Sequence, residues 1–101
     1  MTSSEATIAS SNDFQIAETA TYLEKVESKT FIRFSERIRT NIYPRLRTNP
    51  YSGPNIKRLK GELSSIYRYR MGDYRLFYTI DPSKKVVFIL DLVHRRDAYR
   101  K

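Results

Sequence analysis

Cysteine is absent from this sequence, which excludes disulfides and thiolate metal sites. A single histidine, His94, and scattered carboxylates form no metal-ligand cluster, so neither a metal nor a cofactor is expected. No apolar run approaches the roughly 20 residues of a membrane span, so no membrane partner is expected. The opening stretch MTSSEATIASSNDF lacks the basic start and apolar centre of a signal peptide. The expected setting is therefore a soluble, cytoplasmic one. Acidic residues are also scarce: 11 Asp and Glu stand against 19 Lys and Arg, for a formal net charge of +8. Such an excess favours an anionic partner.

What is present is ordinary globular composition, 40% hydrophobic and 30% charged over 101 residues, enough for one domain with one core. The charge is uneven: residues 1–30 carry a net −3 and residues 31–101 a net +11. The basic footprint thus lies in the C-terminal two-thirds.

The stretch LKGELSSIYRYRMGDYRLFY, residues 59–78, organises the rest. Two strand-like runs flank Gly72-Asp73, a two-residue hairpin signal. With those two as the loop, Met71 pairs with Tyr74, Arg70 with Arg75, Tyr69 with Leu76, Arg68 with Phe77 and Tyr67 with Tyr78. Directly paired residues share a face and neighbours alternate. Arg68, Arg70 and Arg75 therefore share one face, while Tyr67, Tyr69, Met71, Tyr74, Leu76 and Tyr78 share the other. Like charges opposed on a sheet are destabilising. Such a face makes sense if it receives a polyanion, because guanidinium groups bind phosphate bidentately and stay charged. A solvated outer face without a ligand is the competing reading.

Around the hairpin the patterning predicts two helices and a closing strand. Residues 1–12 are Ser/Thr-rich, either flexible or holding a short first strand at Ala6–Ser10. From Phe14 to about Val26, Ile16, Ala20 and Leu23 recur at helical spacing, with Asn12 or Asp13 as cap. Phe31, Phe34, Ile38 and Ile42 continue that spacing after Thr30. Pro44 is expected to end or kink this second helix near Ile42, with Leu46 extending the apolar face beyond. TNPYSGPN, residues 48–55, is turn chemistry, and Asp81-Pro82-Ser83-Lys84 is a second turn. The run VVFILDLV, residues 86–93, reads as a strand covered on both faces. The expected fold is α+β: two N-terminal helices packed on a small antiparallel sheet, one domain over 1–101.

LKG at 59–61, YRYR at 67–70, GDYRLFY at 72–78 and VHRRDAY at 93–99 resemble the RelE/ParE superfamily of toxins from type II toxin–antitoxin pairs. The resemblance covers residues 57–99 in its motifs and the rest only in architecture. It implies a RelE-like fold and an mRNA interferase: an endoribonuclease that cuts message in the A site of the 70S ribosome and is held in check by a cognate antitoxin. The superfamily's ParE branch instead poisons DNA gyrase. On this resemblance Arg75 contacts the scissile phosphate, Arg68 and Arg70 occupy the places of two functional lysines, and Arg95 is a further basic residue after the last strand. Tyr99 positions the cleaved nucleotide, and His94 lies where several relatives carry a C-terminal histidine. Lys57, Arg58 and Lys60 are expected to touch ribosomal RNA.

The chain departs from the family where acid–base chemistry is concerned. An arginine keeps its proton in a protein, so Arg68 and Arg70 act as clamps. The glutamate used by the YoeB-like branch falls near Lys57 or Arg58, which cannot replace it. Metal-free cleavage needs a base for the 2′-hydroxyl, cations at the phosphate oxygens and an acid for the 5′-oxygen. His94 is the one side chain whose ordinary pKa lies near neutrality, with Tyr99 second. Either also reads as structural. The alternatives are a ParE-type gyrase inhibitor and a basic nucleic-acid-binding module without activity.

Overall fold

A computed structural model of the protein describes residues 13–98. The order of elements is β1 (Gln15–Glu18), α1 (Ala20–Val26), α2 (Ile32–Arg37), a π turn (Ile38–Ile42), α3 (Tyr43–Thr48), β2 (Ile56–Arg58), a 3₁₀ turn (Gly61–Leu63), β3 (Ile66–Met71), β4 (Tyr74–Asp81), β5 (Val86–His94) and α4 (Arg95–Ala98). The five strands form one sheet in the order β1-β5-β4-β3-β2. All neighbours are antiparallel except β1, which runs parallel to β5. The α+β class and the closing meander of β3, β4 and β5 match expectation.

The hairpin register matches pair by pair, from Tyr67 opposite Tyr78 to Met71 opposite Tyr74. Gly72 takes a φ of 59° at the first loop position. That is the pattern of a type II′ turn, whose twist suits antiparallel strands. The rest of the sheet hangs on this hairpin.

The first expected helix is corrected. Gln15–Glu18 is a strand, and the helix begins only at Ala20. Thr19, not Asn12 or Asp13, caps it: its Oγ1 accepts from Tyr22 N at 3.4 Å and donates to the Ile89 carbonyl at 2.6 Å. One hydroxyl thereby ends a strand, starts a helix and ties both to β5. The proposed strand at Ala6–Ser10 lies outside the described residues.

Of the two outcomes expected at Pro44, an end or a kink, the helix does not end: α2, the π turn and α3 run on through Thr48, and buried Leu46 extends the apolar face. The wide π turn falls just ahead of Pro44, which then occupies the first turn of α3. An amide hydrogen is dispensable there. Phe31 is the N-cap residue of this helix, with no side-chain bond. A short strand at Ile56–Arg58, absent from the sequence reading, pairs with β3.

The helices cover one sheet face. Tyr22, Val26, Ile38, Ile42, Tyr43 and Leu46 meet Tyr69, Leu76, Tyr78, Val87, Ile89 and Leu92, all buried. Between Phe77 and Tyr78 the β4–β5 ladder shifts, leaving Leu90 as an extra residue. This bulge rephases β5, so Leu92 rather than Asp91 follows Ile89 onto the core face. The other face is not covered as the apolar run suggested: Val86, Phe88 and Val93 are only half-buried, since α1–α3 pack on the opposite side.

A polar cluster pins β1 to the long helix. The Tyr43 hydroxyl donates to Glu18 Oε2 at 2.7 Å, and Arg39 holds both Glu18 oxygens at 3.2 and 3.3 Å. Burial, then the bond to Glu18, raises the Tyr43 pKa well above its ordinary value, so it stays a donor. Tyr43→Phe is expected to lower stability by about 1 kcal/mol, measured by urea denaturation; an unchanged midpoint would remove the bond from the account.

Candidate functional site

The site is built on β3 and β4. Arg70 lies directly opposite Arg75, and Arg68 opposite Phe77, so the three arginines share the face turned away from the helices. β2 adds Lys57 to it, opposite Arg68. Phe77 and Phe88, both half-buried, lie on the same face. Asp91 also falls there but is held by Lys25 at 2.8 Å.

The arginines differ. Arg75 is 8% exposed, with Nη1 donating to the carbonyls of Gly72 at 2.9 Å and Tyr74 at 3.0 Å. Its guanidinium folds onto the turn and so relieves the opposition of Arg70, which is exposed. The Nε groups of Arg75 and Arg68 are both buried and donate to no partner among the described residues. A buried donor left unmatched costs about 1–3 kcal/mol. Both lie on the one hairpin face that also carries exposed Arg70 and Lys57.

The other expected residues fall elsewhere. The bulge at Leu90 turns His94 to the helix face: it pairs with Tyr74, and their rings meet edge to face at 5.3 Å. Tyr74 in turn meets Phe34 at a tilt, with centroids 4.6 Å apart, and Phe31 edge to face at 5.8 Å. His94 Nδ1 accepts from Arg96 N at 3.2 Å. His94 and Arg75 thus lie on opposite faces of the sheet. Arg95 opens α4 beside the hairpin, its amide donating to the Asp73 carbonyl at 2.7 Å and its guanidinium 3.7 Å from the Asp73 carboxylate. Both side chains of that pair are more than half exposed, so it contributes little. Tyr99 lies outside the described residues. Arg58 points to the helix face, bonded to the Ser64 carbonyl and 6.0 Å from the Tyr67 ring. Lys60 is exposed just past β2.

Sequence reasoning missed that Lys57 joins the arginine face. Its signal was the pairing of a three-residue strand, which no local pattern announces. Among the described residues no group of His, Cys, Asp or Glu could hold a metal ion, and no helix is long and apolar enough to cross a membrane.

A twisted sheet with helices on one side and a cationic hairpin on the other describes a known class of small toxin. The family model for the ParE toxin of type II toxin–antitoxin systems matches residues 15–99, so the chain belongs to that family. Toxin RelG of Mycobacterium tuberculosis is 44% identical over 45 residues, which is 45% of this chain and 52% of RelG. The chain thus spans about half the length of that curated relative. Among solved structures, the RelBE2 toxin–antitoxin complex of M. tuberculosis matches with a TM-score of 0.66 and 25% identity, covering 86% of this chain and 97% of that one. The archaeal RelE–RelB complex of Pyrococcus horikoshii matches at 0.59 and 25%, covering 85% and 99%. The YoeB/ParE toxin of Agrobacterium tumefaciens shares the fold at 0.66 and 19%, covering 80% and 98%.

Proposed function

We propose that the protein is the toxin of a type II pair and acts as a ribosome-dependent mRNA endonuclease in the cytoplasm, inhibiting translation by metal-free attack of a 2′-hydroxyl on the scissile phosphate. The observation that carries this reading is the gathering of Arg68, Arg70, Arg75 and Lys57 on one sheet face, with Arg75 held in place by the turn carbonyls. Cations fixed in place before the reaction stabilise charge as it develops on the phosphate oxygens, often the largest single contribution to such a step. Arg75 is fixed by its turn carbonyls. Arg70, exposed beside it, takes the neighbouring phosphate. Arg95 approaches from the start of α4, and Tyr99 keeps the nucleotide-positioning role that the resemblance implies.

Similarity to proteins solved as toxin–antitoxin complexes supports a cognate antitoxin as partner. We read its binding segment as acidic or amphipathic, lying across the arginine face or along the helices. On the helix side a groove of about 370 Å³ lies between Pro44, Arg45 and Thr48 and the Ile56–Tyr69 pair. A purified antitoxin that left the arginine face open and the toxin active would contradict this placement.

A second reading, gyrase inhibition, is favoured by the ParE description of the family model and by the absence of His94 from the arginine face. A supercoiling assay with purified gyrase separates the two. The nuclease reading expects supercoiling to proceed unchanged at toxin concentrations that stop translation, and inhibited supercoiling would overturn it. Lys60→Ala is expected to lower the slope of log affinity for ribosomes against log salt by about one unit; an unchanged slope would remove Lys60 from the interface.

A further inference from the structure

The arginine face has ample positive charge and, by its arginines alone, no proton to give. A guanidinium does not release its proton in a protein. His94 is on the opposite face. Of the carboxylates on the arginine face, Asp91 is bound to Lys25 and Asp81 accepts from Ser83 and Lys84 in its own turn at the far end of β4. The register of β2 leaves one further titratable side chain there among the described residues, Lys57. It is exposed and lies directly opposite Arg68. Directly opposed residues have Cβ atoms about 5 Å apart and diagonal ones about 7–8 Å. Lys57 is therefore one step from Arg68 and one diagonal from Arg70, and Arg75 is one diagonal from Arg68. A phosphate seated between Arg68 and Arg75 is within reach of the four-carbon arm of Lys57.

We propose that Lys57 is the general acid of the cleavage reaction, an inference that rests on the nuclease reading above. The 2′-oxygen bonds to phosphorus and passes its proton to solvent water. The bond from phosphorus to the 5′-oxygen breaks, and the electron pair left on that oxygen takes a proton from the Lys57 ammonium. The products are a 2′,3′-cyclic phosphate and a 5′-hydroxyl, and solvent returns the proton to the amine. The function is assembled across three strands: β3 and β4 supply fixed charge, and the edge strand β2 supplies the mobile proton.

The experiment compares single-turnover cleavage of ribosome-bound mRNA by the full-length wild type and Lys57→Arg. The variant keeps the charge, so ribosome affinity is expected to stay at the wild-type value. Its cleavage rate is expected to fall by roughly 10²-fold or more. A second message carries sulfur in place of the 5′-oxygen at the scissile linkage. A thiolate leaves without protonation, so on this message the two proteins are expected to cleave at the same rate. Lys57→Arg cleaving the ordinary linkage like wild type, or remaining defective on the sulfur linkage, would overturn the assignment while leaving the nuclease reading intact. A wild-type protein that cuts neither message would remove both.

Discussion

Arg75→Ala is expected to cut single-turnover cleavage on the ribosome by roughly 10²–10³-fold, the loss typical of one preorganised donor aimed at developing charge. Ribosome affinity is expected to change far less, because the exposed basic residues Arg70, Lys57 and Lys60 remain. The effect divides this way because Arg75 is buried and held by the turn, so its worth lies in being in place before the charge forms. Removing it also deletes two bonds to the turn carbonyls, and stability is expected to fall by about 1–3 kcal/mol. Arg75→Lys separates the two effects. The lysine keeps a positive charge but loses the planar fork that grips a carbonyl and a phosphate at once. A stable Arg75→Lys protein that binds ribosomes and cleaves slowly fits the account. Equal losses of binding and turnover in both variants would make Arg75 an ordinary binding contact.

Leu76→Ala is expected to cost about 3 kcal/mol, within the range for a buried leucine whose cavity collapses only in part. Leu76 has no exposed surface and lies opposite Tyr69 on one side and Leu92 on the other. It also sits between Arg75 and Phe77 on the strand that carries the site. A domain of this size has about 5–15 kcal/mol to lose, so roughly a fifth to three-fifths of its stability is at stake. Leu63→Ala, at a leucine 49% exposed, is expected to be near neutral by comparison. Urea denaturation of both checks the contrast. Similar midpoints would mean that the core does not centre on β4.

The parts of this fold that were legible in the sequence are those that a short loop determines. Gly72-Asp73 sets the hairpin register by itself, and with it the face shared by Arg68, Arg70 and Arg75. The parts that were not legible depend on distant partners. Ile16 and Leu23 both point to the same core, so a strand followed by a helix mimicked one helix by spacing. Only the β5 edge decides that Gln15–Glu18 is extended. Pro44 was read by a rule that assumes a regular helix, and the π turn is the irregularity that admits it. The face of His94 depends on Leu90, because one extra residue in β5 exchanges the two faces for everything after it. Lys57 depends on where a three-residue strand docks. The charge of the site was thus visible in the sequence, and its proton chemistry was not.

These placements give the arginine face a consistent division of labour. On the proposed reading the guanidinium groups meet the phosphate, half-buried Phe77 and Phe88 on the same face offer apolar surface, and Lys57 stands at the margin. Base–aromatic stacking contributes about 1–3 kcal/mol per base in single-stranded recognition, so those rings suit a strand laid across the sheet.

The central claim is that this face cuts message on the ribosome. The direct test is a cell-free translation reaction with the purified protein, in which new mRNA ends are mapped by primer extension with and without ribosomes. The account predicts cuts within codons, present only on translated message and lost with Arg75→Ala. Intact message in a reaction whose translation proceeds unaffected would contradict it.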